Sequence, residues 1–182
     1  MIQTLSKTIL SLLGWHLEKD IPEENKMIII GAPHTSNWDL PFTLMVAFSL
    51  RLTVYWMGKE QIFRFPFRGL MMWLGGIPVD RSQSNNLVQD SSTAIKQASG
   101  PLQLIVPPEG TRSGTRYWKT GFYYIAEAAG VPILLAYLDY EKKTGGLGPV
   151  FQTTGDVEAD MLAIKAFYAG FKGKNADQFH AD

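Results

Sequence analysis

Along residues 2–17 apolar positions return at helical intervals. Ile2, Leu5, Ile9, Leu12 and Leu13 share one face at about 100° per residue, with Gln3, Lys7, Ser11 and Gly14 opposite. The spacing predicts an amphipathic N-terminal helix, with Trp15 and Lys19 near its end as in helices that lie in a bilayer interface. Two fates stay open for its apolar face: packing on its own domain, or contact with a membrane.

The rest of the chain alternates short apolar runs with longer amphipathic ones. Met27, Ile28, Ile29 and Ile30 read as a buried strand closed by Gly31 and Pro33, and a helix is expected over 38–50 with Pro41 in its first turn. A strand over 52–57 precedes a mixed stretch, 62–74, in which Pro66 and Gly69 break any helix. Strands follow at 77–79, 102–106 and 132–137, with helices running to about residue 99 after a polar turn at 82–86, and over 123–129 and 157–171. A further edge strand is expected at 150–153. Strands alternating with helices predict a single-domain α/β fold, a largely parallel or mixed central sheet flanked by helices, plus the N-terminal amphipathic helix. The organisation expected is helix at 1–20, domain at 21–172, and a polar, frayed tail at 173–182.

At 182 residues the chain is long enough to bury one proper core. Seventeen basic and seventeen acidic residues give no global positive field, which argues against a nucleic-acid partner. The charge is uneven, however. Residues 51–120 hold nine basic residues against four acidic, leaving +5 there and −5 in the flanks, which suits an anionic ligand or membrane surface. No cysteine is present, so disulfides, thiolate metal sites and a cysteine nucleophile are excluded, and no metal site is expected. The longest apolar run, 40–50, is interrupted by Pro41, Thr43 and Ser49 and stops at Arg51, short of a membrane span. Lys7 interrupts the apolar N-terminus and no small-residue cleavage site follows, so a cytoplasmic protein, peripheral on the cytoplasmic membrane face, is expected.

Four short motifs carry the chemistry: His34-Thr35-Ser36-Asn37-Trp38-Asp39, Gly76-Ile77-Pro78-Val79-Asp80-Arg81, Pro108-Glu109-Gly110-Thr111-Arg112-Ser113 and Val131-Pro132-Ile133. A neutral imidazole can take a proton from an attacking hydroxyl, and a carboxylate on its other nitrogen fixes the tautomer. In a continuous helix residues five apart would diverge by about 140°. Pro33 and Pro41 instead suggest that His34 sits in a turn before a helix whose first turn holds Asp39, near free backbone N–H groups suited to an oxyanion or phosphate. Ser36 lacks the surroundings of a nucleophile and reads as a helix cap, as does Asn37. Gly110 permits close backbone approach, Thr111 offers a hydroxyl, and Arg112 a planar fork matched to phosphate oxygens. Glu109 can orient an Arg or accept from a hydroxyl. The alternative for Asp80, Arg81, Glu109 and Arg112 is two ion pairs bracing neighbouring loops.

In this order the motifs resemble those of the glycerolipid acyltransferases, the family of the 1-acylglycerol-3-phosphate acyltransferases, marked by H-x4-D and P-E-G-T-R. The likeness covers roughly residues 27–140. It implies transfer of a fatty acyl group from acyl-CoA or acyl-carrier protein, as co-substrate and with no other cofactor, to a lyso-phospholipid hydroxyl, without an acyl-enzyme. It also implies His34 as general base with Asp39 as its orienter, and a substrate-binding set of Arg81, Glu109, Gly110, Thr111, Arg112 and Lys119. Arg81 and Arg112 would hold the acceptor phosphate, and Val131-Pro132-Ile133 would lie toward the acyl donor. Met71, Met72, Trp73 and Leu74 are candidates for an acyl groove. Pro33, Pro78 and Pro107 depart from the family's usual Asn, Phe and Phe, which weakens transfer of acceptor identity more than of reaction type. An ornithine-type lyso-lipid acceptor, a thioesterase and a non-catalytic lipid-binding protein remain as alternatives.

Overall fold

A computed structural model of the chain describes residues 1–18, 21–79 and 87–181. Its elements are α1 (Ile2–Leu12), β1 (His16–Leu17), β2 (Lys26–Ala32), α2 (Asp39–Leu50), β3 (Val54–Lys59), α3 (Arg68–Trp73) and β4 (Gly76–Val79). They continue with α4 (Leu87–Gln97), β5 (Leu102–Val106), α5 (Gly121–Ala129), β6 (Ile133–Asp139), β7 (Thr144–Phe151) and α6 (Val157–Tyr168). The strands make one sheet in the order β1-β7-β6-β2-β5-β3-β4. β6, β2, β5, β3 and β4 are all parallel, and β7 returns antiparallel beside β6. The expected α/β fold with a mixed sheet is what forms.

β2 lies at the centre and is apolar on both faces, as a strand covered by helices on each side must be. Its side chains alternate: Ile28 and Ile30 join the core under α4, α5 and α6, while Met27 and Ile29 join the core under α1, α2 and α3. On the first side Tyr168 of α6 donates its hydroxyl toward the carbonyls of Ile30 and Ala136, 3.0 Å from each, tying α6 to β2 and β6. The start of α6 is fixed by Asp160. Its carboxylate accepts from the Thr154 N–H at 2.7 Å, the Thr154 hydroxyl at 2.9 Å and the Tyr123 hydroxyl at 2.8 Å. Burial alone would raise the Asp160 pKa, yet these donors hold it below its ordinary value.

Three expectations change. α1 stops at Leu12, and Trp15 is buried against Phe42 and Tyr140 rather than lying at an interface; Lys19 lies outside the described residues. The edge strand expected at 150–153 is β7, which begins at Thr144 and is not the edge, because β1 pairs along its outer side. The chain end does not fray: residues 171–181 fold back across the sheet edge, where Phe171 stacks on Tyr137 at 4.2 Å and the His180 carbonyl accepts from Trp118 Nε1 at 3.0 Å.

α1 is inside out relative to ordinary amphipathic packing. Its inward stripe is Gln3, Ser6 and Leu10, and Gln3 donates to the Ser49 carbonyl and accepts from Arg51 Nε at the end of α2. Leu5 and Leu12, on the apolar face, are 60% and 82% exposed. On the same side of the sheet the 65–73 stretch and α3 leave Phe65, Phe67, Leu70, Met72 and Trp73 exposed, beside Arg64 and Arg68. Among the described residues no helix is long and apolar enough to cross a membrane.

Candidate active site

Two motif segments leave the carboxyl ends of neighbouring parallel strands, where open α/β sheets place their ligands. β2 ends at Ala32 and passes through Pro33 to His34. β5, paired with β2 up to Ile30 and Val106, ends at Val106 and passes through Pro107 and Pro108 to Glu109. β4 ends at Val79 on the same edge of the sheet, but Asp80 and Arg81 lie outside the described residues.

His34 occupies the turn before α2, and Asp39 is the first residue of that helix, as the flanking prolines suggested. His34 Nδ1 stands 3.3 Å from Asp39 Oδ2, with the ring mostly covered and the carboxylate buried. Asp39 is thoroughly fixed. Oδ2 accepts from the N–H groups of Thr35 and Ser36 at 2.8 Å each, and Oδ1 accepts from the Tyr140 hydroxyl at 2.8 Å. Burial and the Asp39 charge push the Tyr140 pKa up, so its hydroxyl stays a donor. With Nδ1 turned to the carboxylate, Nε2 is the nitrogen left for a reacting hydroxyl.

Backbone amides around the base are mostly spent. The His34 N–H goes to Glu109, those of Thr35 and Ser36 to Asp39, that of Trp38 to the Ser36 hydroxyl and that of Asp39 to the Ser36 carbonyl. At the start of α2 the expected reserve of free N–H groups thus shrinks to Asn37 and Leu40 among the described residues. Neither Ser36 nor Asn37 caps α2; the cap position is Trp38, and Ser36 instead tightens the turn ahead of it.

Glu109 pairs with no Arg among the described residues. Its Oε1 accepts from the His34 N–H at 2.6 Å, and Oε2 is buried without a partner. Burial, opposed by that N–H and aided by the nearby Asp39 charge, raises its pKa to about 8. Gly110 has φ of 65°, and a Cβ there would meet the Lys119 side chain at 2.8 Å, so the glycine makes room for Lys119 to cross the loop. Thr111 and Ser113 share a hydrogen bond at 2.9 Å. Arg112 Nε donates to the Ser36 carbonyl at 3.2 Å, which brings the exposed guanidinium to the base turn without tying it in an ion pair among the described residues. The structure therefore gathers His34, Asp39, Glu109, Gly110, Thr111, Arg112 and Lys119 on one rim.

The last motif is elsewhere. Pro132 accepts from Ile28 N–H, and Ile133 opens β6 beside Ile28, whereas His34 lies beyond the other end, where Ala32 faces Tyr137. Four residues of strand separate the two levels, about 13 Å. Ile133 is fully buried, so Val131-Pro132-Ile133 is a strand entrance in the core and not part of the rim. The acyl-groove candidates divide: Met71 and Leu74 pack on the core, while Met72 and Trp73 face outward. Beside His34 a small cavity of about 40 Å³ runs under Pro33, Val46, Ile105 and Leu138. Ligand sites are typically about 300 Å³ or more, so this interior holds a water or two but no acyl chain. Tyr140 was invisible to sequence reasoning, because nothing in its local surroundings marks a residue that reaches Asp39 across 101 positions.

A protein-family model described as Acyltransferase matches residues 14–137, more than half of the chain. The chain belongs to the acyltransferase family. The chain is 29% identical over 133 residues to the 1-acyl-sn-glycerol-3-phosphate acyltransferase of Haemophilus influenzae, a match covering 68% of this chain and 53% of that one. It is 33% identical over 111 residues to the enzyme of the same name from Salmonella typhimurium, covering 57% and 43%. It spans only about half the length of these curated relatives. Its fold is similar to the crystal structure of the 1-acyl-sn-glycerophosphate (LPA) acyltransferase from Thermotoga maritima, with a TM-score of 0.63 at 17% identity, over 94% of this chain and 80% of that one.

Proposed function

We propose that the protein transfers a fatty acyl group from a thioester donor, acyl-CoA or acyl-carrier protein, to the free hydroxyl of a lyso-phospholipid, with 1-acylglycerol-3-phosphate as first acceptor. The observation that carries this reading is the His34–Asp39 pair at 3.3 Å, set on a rim with Arg112 and Lys119. His34 Nε2 takes the acceptor's proton as its oxygen attacks the thioester carbonyl; Asp39 balances the charge growing on the ring. The C–S bond then breaks, and the thiolate leaves with the proton from His34. The N–H of Asn37 is available to the oxyanion.

Arg112 and Lys119 receive the acceptor phosphate, and Arg81 joins them on the resemblance of its motif alone. A Glu109 kept protonated by burial suits that neighbourhood, since it adds little negative charge near a phosphate. The relatives named for 1-acyl-sn-glycerol-3-phosphate support this choice of acceptor. The outward apolar face of α1, with the exposed apolar and basic residues around α3, favours a protein resting on a lipid surface.

The test is release of free CoA from a long-chain acyl-CoA, with and without lysophosphatidate, for wild type and His34→Ala. Acceptor-dependent release that falls at least about 100-fold in His34→Ala is the expected result. Acceptor-independent release would indicate hydrolysis instead, and full activity in His34→Ala would remove the base.

A further inference from the structure

The chain end reaches the base turn. After α6, residues 171–181 run back over the rim, outside the segment the family model matches. The Lys172 carbonyl accepts from the Tyr140 N–H at 2.9 Å. Gly173 then presses on the base turn so closely that a Cβ there would stand 2.6 Å from Thr35 Oγ1 and 3.0 Å from Pro33 Cβ. Asn175 follows with two hydrogen bonds to the same residue: its N–H to Thr35 Oγ1 at 3.2 Å and its Nδ2 to the Thr35 carbonyl at 2.7 Å. Lys174 lies 5.0 Å over the ring of Trp38. Beyond them Phe179 bridges to Thr115 and His180 holds Trp118, in the segment that leads from Arg112 to Lys119.

Thr35 is the residue next to His34, and it is buried. Its N–H is fixed by Asp39, while its carbonyl and hydroxyl are fixed by Asn175. A base works only where its ring is aimed at the attacking hydroxyl, and small misplacements are costly. We infer that the 171–181 strap is part of the catalytic apparatus and that Asn175 is a positioning residue, holding His34 to Asp39 through Thr35. This rests on His34 being the base.

The experiment compares wild type with Asn175→Ala and Asn175→Asp, the latter keeping the size but losing the donor to the Thr35 carbonyl. Hydrogen exchange of the Thr35 and Ser36 amides is read beside kcat, acceptor KM and melting temperature. Both variants should exchange those two amides about tenfold faster or more. Their kcat should fall at least about tenfold, with acceptor KM within about twofold and the melting temperature little changed. Gly173→Ala, which drives a Cβ into Thr35, should show the same pattern with Asn175 intact. Unchanged exchange overturns the proposal whatever the activity. So does faster exchange with an unchanged kcat while His34→Ala is inactive in the same assay. Wild-type turnover in His34→Ala instead removes the base reading, and the positioning role with it.

Discussion

Glu109 joins burial, hydrogen bonding and acidity in one side chain. Its pKa is raised to about 8 in the fold against an ordinary 4.5, so the native state keeps a proton that the unfolded chain has already lost. Its contribution to stability is therefore fully present below about pH 4.5 and is lost as pH rises toward 8. Glu109→Gln keeps an acceptor for the His34 N–H and removes the titration. Thermal unfolding measured from pH 4.5 to 8 should show a flatter decline for the variant than for wild type; an identical profile would mean the carboxyl is not held protonated. Arg112→Ala should act differently. The guanidinium is exposed and, among the described residues, donates to the Ser36 carbonyl alone, so the fold should tolerate the change while acceptor KM rises about 5- to 150-fold, the worth of a charged hydrogen bond of ~1–3 kcal/mol. At this scale local pattern was enough to place His34 and Asp39, because seven residues between two prolines leave few geometries. Tyr140 and Asn175 reach the same turn from 101 and 140 residues away, and such contacts leave no local trace.

Among the elements, strands with alternating or continuous apolar residues were legible to within a few positions, β2 and β5 best. β7 was not, because its sequence, TGGLGPVF, reads as a loop. Packing explains the composition. A Cβ on Gly148 would fall within 2.3 Å of the Phe167 ring, and one on Gly146 within 2.6 Å of the Tyr137 hydroxyl. Pro149 sits at the register shift opposite Leu134 and Ala136, one of the few places a sheet accepts proline. The α6 anchor makes a prediction at this scale: Asp160→Ala strands the Thr154 N–H and two hydroxyls, and chemical denaturation should show a loss of about 2–4 kcal/mol with acceptor KM unaltered. α1 makes the opposite one. Leu5→Glu with Leu12→Glu alters only outward positions, so the melting temperature should hold while binding to anionic phospholipid vesicles weakens at least about tenfold; unchanged binding would assign the lipid contact elsewhere.

Seen whole, the candidate site lies on one edge of the sheet, and the exposed apolar residues of α1 and α3 lie on one face over the same core. Periodicity had already found the apolar stripe of α1; which way it turned was decided by Gln3 bonding to Ser49 and Arg51, a tertiary choice that helical spacing cannot encode. That outward stripe alters what the protein's rate should depend on. A catalyst that stays on one vesicle meets its acceptor in two dimensions, so turnover follows the mole fraction of acceptor in the surface rather than its bulk concentration. Diluting the acceptor with inert phospholipid at constant total acceptor should then slow the reaction, and adding empty vesicles to catalyst already bound should leave it unchanged until the protein has had time to hop.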